Sequence, residues 1–466
     1  MRLQLTLAII LAFLAATATA DERHRVLVLT DIANEPDDEE SLVRFMVYCN
    51  EFDIEGIVAT TSMHLRGRTR EDLIRRTVKT YGQVRDNLLL HTPGFPTAES
   101  VEAVVATGQT GYGMGAVGEG KSTKGSKLIL AAAKKDDPRP LWISVWGGSN
   151  TLAQALDDAR RDWPEEELKK LVAKLRVYTI SDQDDAGRWM RREFPGLFYI
   201  VSPSTDWRQY YRSTWSGIAG DRWYKNGPMH KFHLVDNPWL EKNIIKDHGP
   251  LGALYPRVSY IMEGDTPSYL GLIENGLCWA TRPDYGGWAG RYLMYKPPSE
   301  TRAIWTDVAA SRDTVTADNG QTYTSHQATI WRWREAYQHD FAARMDWCVQ
   351  PRDKANHNPV VVVNETKGKG LIEIDAKPGE EFTLSAAGST DPDGDKLSYR
   401  WFHYSSAGGS PSWINVKIDD ADKQQARLVA PNFRNRPYAA HIILEVKDDG
   451  EPCLYAYRRV IVNVKP

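Results

Sequence analysis

The stretch VLVLTDIANEPDDEESL, residues 26–42, takes a short apolar run straight into acid: Asp31, Glu35, Asp37, Asp38, Glu39 and Glu40. Carboxylates packed this closely repel one another unless a cation neutralises them. An all-oxygen set suits a hard ion, calcium before magnesium. The plainer role is capping, because a helix N-terminus favours carboxylates and Asp37 and Asp38 stand where the next helix starts. Capping uses one acid or two. It leaves Asp31, at the end of the strand, unaccounted for.

The elements around this stretch say where it must lie. Strand-like RVLVLT (25–30), IEGIVATT (54–61), PLWISVW (140–146), RVYTIS (176–181) and LFYIVS (197–202) alternate with helical segments such as TREDLIRRTVKTYGQV, where Ile74, Val78 and Tyr81 recur at helical spacing. Near-continuous apolar strands between helices predict a mostly parallel sheet covered on both faces. Ligands bind such sheets beyond the carboxyl ends of the strands. Asp31 lies at that edge. So do Asp182, Gln183 and Asp184, which follow RVYTIS and are expected to touch substrate, with a solvated acidic loop as the alternative.

Residues 203–355 are rich in Trp, Gly and Pro, and resist assignment strand by strand. Ten of the sixteen tryptophans fall between Trp207 and Trp347. Trp207, Trp215, Trp223, Trp279 and Trp288 could stack on sugar faces, although core packing is the commoner role for any one Trp. After a polar linker at 351–359 come about eight short, turn-separated strands, in which Leu397, Tyr399 and Trp401 share one face. These predict an immunoglobulin-like β-sandwich. Its Asp391-Pro392-Asp393-Gly394-Asp395 offers oxygen ligands that could hold calcium, although the plainer reading is a tight acidic hairpin turn.

Residues 1–20 combine Arg2, an apolar Leu5–Leu14 core and Ala18-Thr19-Ala20, the pattern of a cleaved secretory signal peptide. The expected organisation is therefore 1–20 signal peptide, 24–350 α/β domain and 358–466 sandwich, in a secreted or periplasmic protein. No later stretch is apolar enough to span a membrane in the mature form. With 26% charged residues and a net charge of −3, the chain lacks the basic face of a nucleic-acid binder. Cys49, Cys278, Cys348 and Cys453 form no metal-binding spacing; they are either buried thiols or supply one disulfide of undetermined pairing.

The acidic stretch resembles the start of the nucleoside hydrolase family, a strand followed by Asp-x-Asp-x-Gly-x-Asp-Asp around a calcium ion. Asp31, Asp37 and Asp38 match the first Asp and the final pair, while Ala33 falls on the second Asp and Glu35 on the Gly. A closer resemblance is to bacterial cellulose-binding proteins with a nucleoside hydrolase-like domain. TDIANEPDD (30–38), WGGSNTLAQAL (146–156), EGDTPSYLGLIENGL (263–277), PDYGGWAGRY (283–292) and the terminal β-domain all follow that pattern, over essentially the whole mature chain.

This resemblance implies a nucleoside hydrolase-like fold and a calcium site built from Asp31, Asp37, Asp38, the backbone carbonyl of Val145 or Trp146, and Asp265, with Asp247 as rival to Asp265. Asn150 is expected to be structural. The family's general base would be the residue now replaced by Ala33, so Asp31 is expected to take that role, with Glu35 as rival. Asp37 is expected to touch a sugar hydroxyl. Gly264 stands where the hydrolases often carry a leaving-group His, which leaves His64 or His248 to assist. The implied activity is calcium-dependent hydrolysis of glycosyl bonds, of N-glycosyl type, in a carbohydrate or nucleoside-like substrate, with plant-wall polysaccharide as one source. The competing implication is a non-catalytic polysaccharide binder that keeps the fold.

Overall fold

The computed structural model describes residues 23–204, 206–219, 230–409, 414, 416–432 and 437–465. The expected signal peptide and Trp223 lie outside them. The sheet of the first domain contains β1 (His24–Thr30), β2 (Phe52–Ala59), β3 (Val105–Thr107), β4 (Leu141–Val145), β5 (Leu175–Ser181), β6 (Phe198–Ser202), β7 (Leu293–Tyr295) and β8 (Ile304–Thr306). Their order is β3-β2-β1-β4-β5-β6-β8-β7. Every pairing is parallel except β7 with β8. This is the expected mostly parallel sheet with helices on both faces.

The apolar strands are buried because each face carries its own core. One core sets Val26, Val28, Trp142 and Trp146 against α1 (Asp37–Val47) and α2 (Glu71–Gly82). The other sets Leu27, Leu29, Ile143 and Val177 against the helices Lys124–Lys134 and Asn150–Asp162. Register aligns the carboxyl ends: Thr30 pairs with Ala59, and Leu29 with Val145, which in turn pairs with Thr179. Asp31, Ser62, Trp146 and Gln183 therefore emerge along one rim.

The segment that resisted assignment forms short turns, β7 and β8, a small hairpin (Asp313–Thr316 with Thr322–Ser325) and the helix Arg334–Asp346. That helix packs on α1, where Tyr48 donates to Asp340 Oδ1 (2.5 Å) and Arg44 donates to the Tyr337 carbonyl (2.9 Å).

The C-terminal residues build two larger sheets around a core that includes Trp401, Leu428, Ile442 and Val462, beside a small ribbon of Val362–Val363 with Thr366–Lys367. One sheet orders Ile372–Ala376, Tyr455–Val464, Tyr438–Lys447 and Ser398–His403; the other orders Glu381–Ser385, Gln425–Val429 and Lys417–Asp419. Trp401 is a core residue, as its alternating register predicts. The domains meet through Trp333 against Tyr404 and Tyr457, and through Arg459, which donates to the Leu277 and Gly286 carbonyls. All four cysteines are free thiols. Among the described residues, no helix is long and apolar enough to cross a membrane.

Candidate functional site

The rim carries a cleft of about 560 Å3 lined by Asp31, Asp37, Asp38, Asp265, Glu35, His64, Trp146, Gln183, Trp207, Tyr210, Tyr211, Trp215 and Tyr260, among others. Its floor is acidic and its walls are aromatic. Trp207 and Tyr260 stand about half exposed at the mouth.

Asp37, Asp38 and Asp265 each offer a carboxylate oxygen within 4.8 Å of the others. Capping does not account for them. The N-cap of α1 is Pro36, with no side-chain cap, and Asp38 Oδ1 instead accepts from the Thr30 hydroxyl. The short helix Pro267–Leu270 has Thr266 at its N-cap, again without a side-chain bond. Asp265 uses only its carbonyl locally, accepting from Ser268 N (3.0 Å) and Ser268 Oγ (2.6 Å). Asp265 Oδ2 is buried without a hydrogen-bond partner. Burial, followed by repulsion from neighbouring carboxylates, holds Asp37, Asp38 and Asp265 well above the usual carboxylate range. An unpartnered buried oxygen among mutually repelling acids fits a hard divalent cation.

Asp31 lines the same cleft, although it is not one of the three acids whose oxygens all lie within 4.8 Å of one another. Its Oδ2 accepts from Ser62 Oγ (2.5 Å). Its Oδ1 lies against Gly147, where a Cβ would come within 2.2 Å. Burial raises its carboxyl to about 7, partly offset by the Ser62 bond. Ala33, where the hydrolases carry their base, has a positive φ of 92°. Gly264 has a steric reason: a Cβ there would stand 2.8 Å from Asp37 Oδ2 and 3.1 Å from the Trp215 ring.

The turn carrying Asp265 is fixed by buried charge. Glu263 is fully buried and pairs with Arg44 (2.5 Å). It also accepts from Tyr255 (2.7 Å) and Thr266 (2.9 Å), while its own N–H donates to Glu40 (2.9 Å). This network ties the distant 263–266 turn to α1, and so brings Asp265 to Asp37 and Asp38.

Other expected residues fall out differently. The Trp146 carbonyl accepts from Gln183 Nε2 (2.8 Å), so Gln183 reaches the cleft but engages the oxygen expected to ligate metal. Asp182, expected to touch substrate, forms a buried two-pronged pair with Arg191 (2.8 Å for both bonds) and is not among the residues lining the cleft. Asp184 is likewise internal, accepting from Asn150 N (3.0 Å) and Ala186 N (3.0 Å). Trp288 is buried and faces the domain junction rather than the cleft. Asp247 and His248 do not line the cleft, and His248 pairs with Asp346 (3.2 Å). Asn150 is structural, donating to the Gly111 carbonyl (2.8 Å). His64 does line the cleft; burial, and secondly the charge of Arg66, lower its pKa. Tyr210, Tyr211, Tyr260 and the Asp31 partner Ser62 were not expected. The tyrosines belong to the segment without periodic signal.

A second close set, Glu335, His339 and Cys453, joins the two domains. Lys231 and Lys447 both pair with Glu335, so its charge is already balanced.

Residues 25–292 match the family model described as "Cellulose-binding Sde182, nucleoside hydrolase-like domain", and residues 381–464 match "Cellulose-binding protein Sde0182, C-terminal domain". The chain is similar to a solved nucleoside hydrolase-related hypothetical protein from Saccharophagus degradans, described as associated with carbohydrate metabolism. Identity is 36% over 95% of this chain and 100% of that one, with a TM-score of 0.79. The type III effector protein XopQ, solved with adenosine diphosphate ribose, aligns at 13% identity over 71% of this chain and 96% of its own, with a TM-score of 0.33. No curated protein matches.

Proposed function

Because this chain belongs to the family of cellulose-binding proteins with a nucleoside hydrolase-like domain, we propose that it is an exported, calcium-dependent hydrolase of glycosyl bonds in a carbohydrate substrate. The observation that carries this reading is the trio Asp37, Asp38 and Asp265 on the floor of an aromatic cleft, with Asp265 Oδ2 unpartnered. These three would hold the ion, which would supply Lewis-acid polarisation and a fixed position for a water molecule.

The chain's own residues supply the remaining steps. Asp31 takes a proton from the water as its oxygen bonds to the anomeric carbon. Asp37, which also lines the cleft, accepts from a sugar hydroxyl. Developing positive charge on the sugar ring is stabilised by the surrounding carboxylates. The bond to the leaving oxygen breaks, and that oxygen takes its proton from solvent. Trp207, Tyr211 and Tyr260 offer flat surfaces to a pyranose.

A second reading, a non-catalytic polysaccharide binder, is favoured by Ala33 at the position of the hydrolases' base. One assay separates the two. The protein is incubated with nucleosides and with plant-wall oligosaccharides, with and without chelator. Chelator-sensitive sugar release that disappears in Asp31→Asn supports the hydrolase. Glycan binding without turnover, unchanged in Asp31→Asn, supports the binder. Export is tested by sequencing the N-terminus of the secreted protein, which is expected to begin near Asp21.

A further inference from the structure

The linker enters the sandwich between two acidic turns. In the first, Asp391 Oδ1 accepts from the N–H groups of Asp393 (2.8 Å) and Asp395 (3.2 Å). In the second, Asp448 Oδ1 accepts from Gly450 N (3.0 Å), Leu454 N (2.9 Å) and Asn356 Nδ2 (3.0 Å). The turns are held together: Lys396 N donates to Asp449 Oδ1 (2.8 Å), and a Cβ on Gly450 would stand 2.5 Å from Asp395 Oδ2 and 2.2 Å from Asn356 Nδ2.

Each turn thus satisfies one carboxylate oxygen and strands the other. Asp391 Oδ2 and Asp448 Oδ2 are both buried without a hydrogen-bond partner, and the Asp448 residue is only 2% exposed. Such an oxygen costs free energy unless a proton or cation meets it. The neighbouring His357 does not reach these oxygens with its Nδ1, which is engaged by Asp393 (2.9 Å). The charges acting on Asp395 are those of Asp391, Asp449 and Asp393, and the charge acting on Asp448 is that of Asp391.

We propose that Asp391 and Asp448 bind a calcium ion through these two stranded oxygens, at a site separate from the cleft. Calcium takes six to eight oxygens in flexible geometry, so two carboxylates need backbone carbonyls and water to complete the shell. The ion locks the junction between domains. Asn356, which donates to Asp448, accepts at its carbonyl from Trp347 Nε1 (2.9 Å), just beyond the last helix of the first domain. Calcium at this site therefore braces the sandwich against the α/β domain.

The test uses the full chain carrying Asp265→Asn, which disables the cleft trio, titrated with calcium chloride by calorimetry and by thermal melting. One binding event and a calcium-induced rise in melting temperature are expected to persist. Adding Asp391→Asn, or separately Asp448→Asn, is expected to weaken that event by at least about tenfold and remove the rise, while asparagine keeps the Oδ1 bonds. Should Asp265→Asn fail to fold, Asp391→Asn in the otherwise unaltered chain is expected to lower the calcium stoichiometry by one. Calcium affinity and melting shift unchanged in both Asp391→Asn and Asp448→Asn would overturn the proposal.

Discussion

At the residue scale, the cleft depends on what its neighbours lack. Gly264 leaves room for Asp37 Oδ2, since a Cβ there would approach to 2.8 Å. Gly264→Ala is therefore expected to displace Asp37 and weaken calcium binding by about tenfold, a loss of about 1.4 kcal/mol in binding free energy, measured by calorimetry. An unchanged affinity would show that Asp37 does not contribute to the ion site. Asp31, Asp37 and Asp38 were legible in the sequence because a strand end and a helix start fix their side of the sheet. Asp182 and Asp184 shared that signal. Their internal partners, Arg191 and the Asn150 amide, were not legible, because a linear chain gives no sign of which groups meet these oxygens.

At the element scale, α1 and the 263–266 turn are joined by one buried charge network. Arg44 and Glu263 are both fully buried, and removing one partner leaves the other's charge uncompensated. Arg44→Met is expected to cost about 3–5 kcal/mol in urea unfolding. Arg44→Met with Glu263→Gln is expected to cost less than the sum of the two single changes. Additive losses would mean that the pair does not act as a unit. The strands and long helices of the sheet were legible from their period. The 203–355 segment was not, because outside the helix Arg334–Asp346 its short turns carry no period and are held by contacts with distant elements. The three tyrosines of the cleft wall come from this segment.

At the scale of the whole molecule, the acid clusters couple stability to pH. Burial raises Asp31 and Asp184 to about 7 and Asp448 to about 6, from a usual value near 4. Between about pH 4 and pH 7 the folded chain thus holds more protons than the unfolded chain, and these groups make stability fall as pH rises. In chelator, the melting temperature is expected to decline across that window. With saturating calcium the decline is expected to flatten, because a bound cation offsets the repulsion. A chelated protein that gains stability from pH 5 to pH 7 would contradict this. The two-domain plan was legible in the change from strand–helix alternation to short alternating strands; the way the two domains pack was not, because Trp333, Arg459 and Tyr457 give no sign in sequence of facing one another.

The central claim is that Asp37, Asp38 and Asp265 converge on one divalent cation. Its most direct test is an anomalous difference map from crystals grown with calcium, collected at long wavelength. The account predicts a peak bonded to oxygens of all three residues at about 2.3–2.6 Å. A map showing only water or empty space among them at saturating calcium would contradict it.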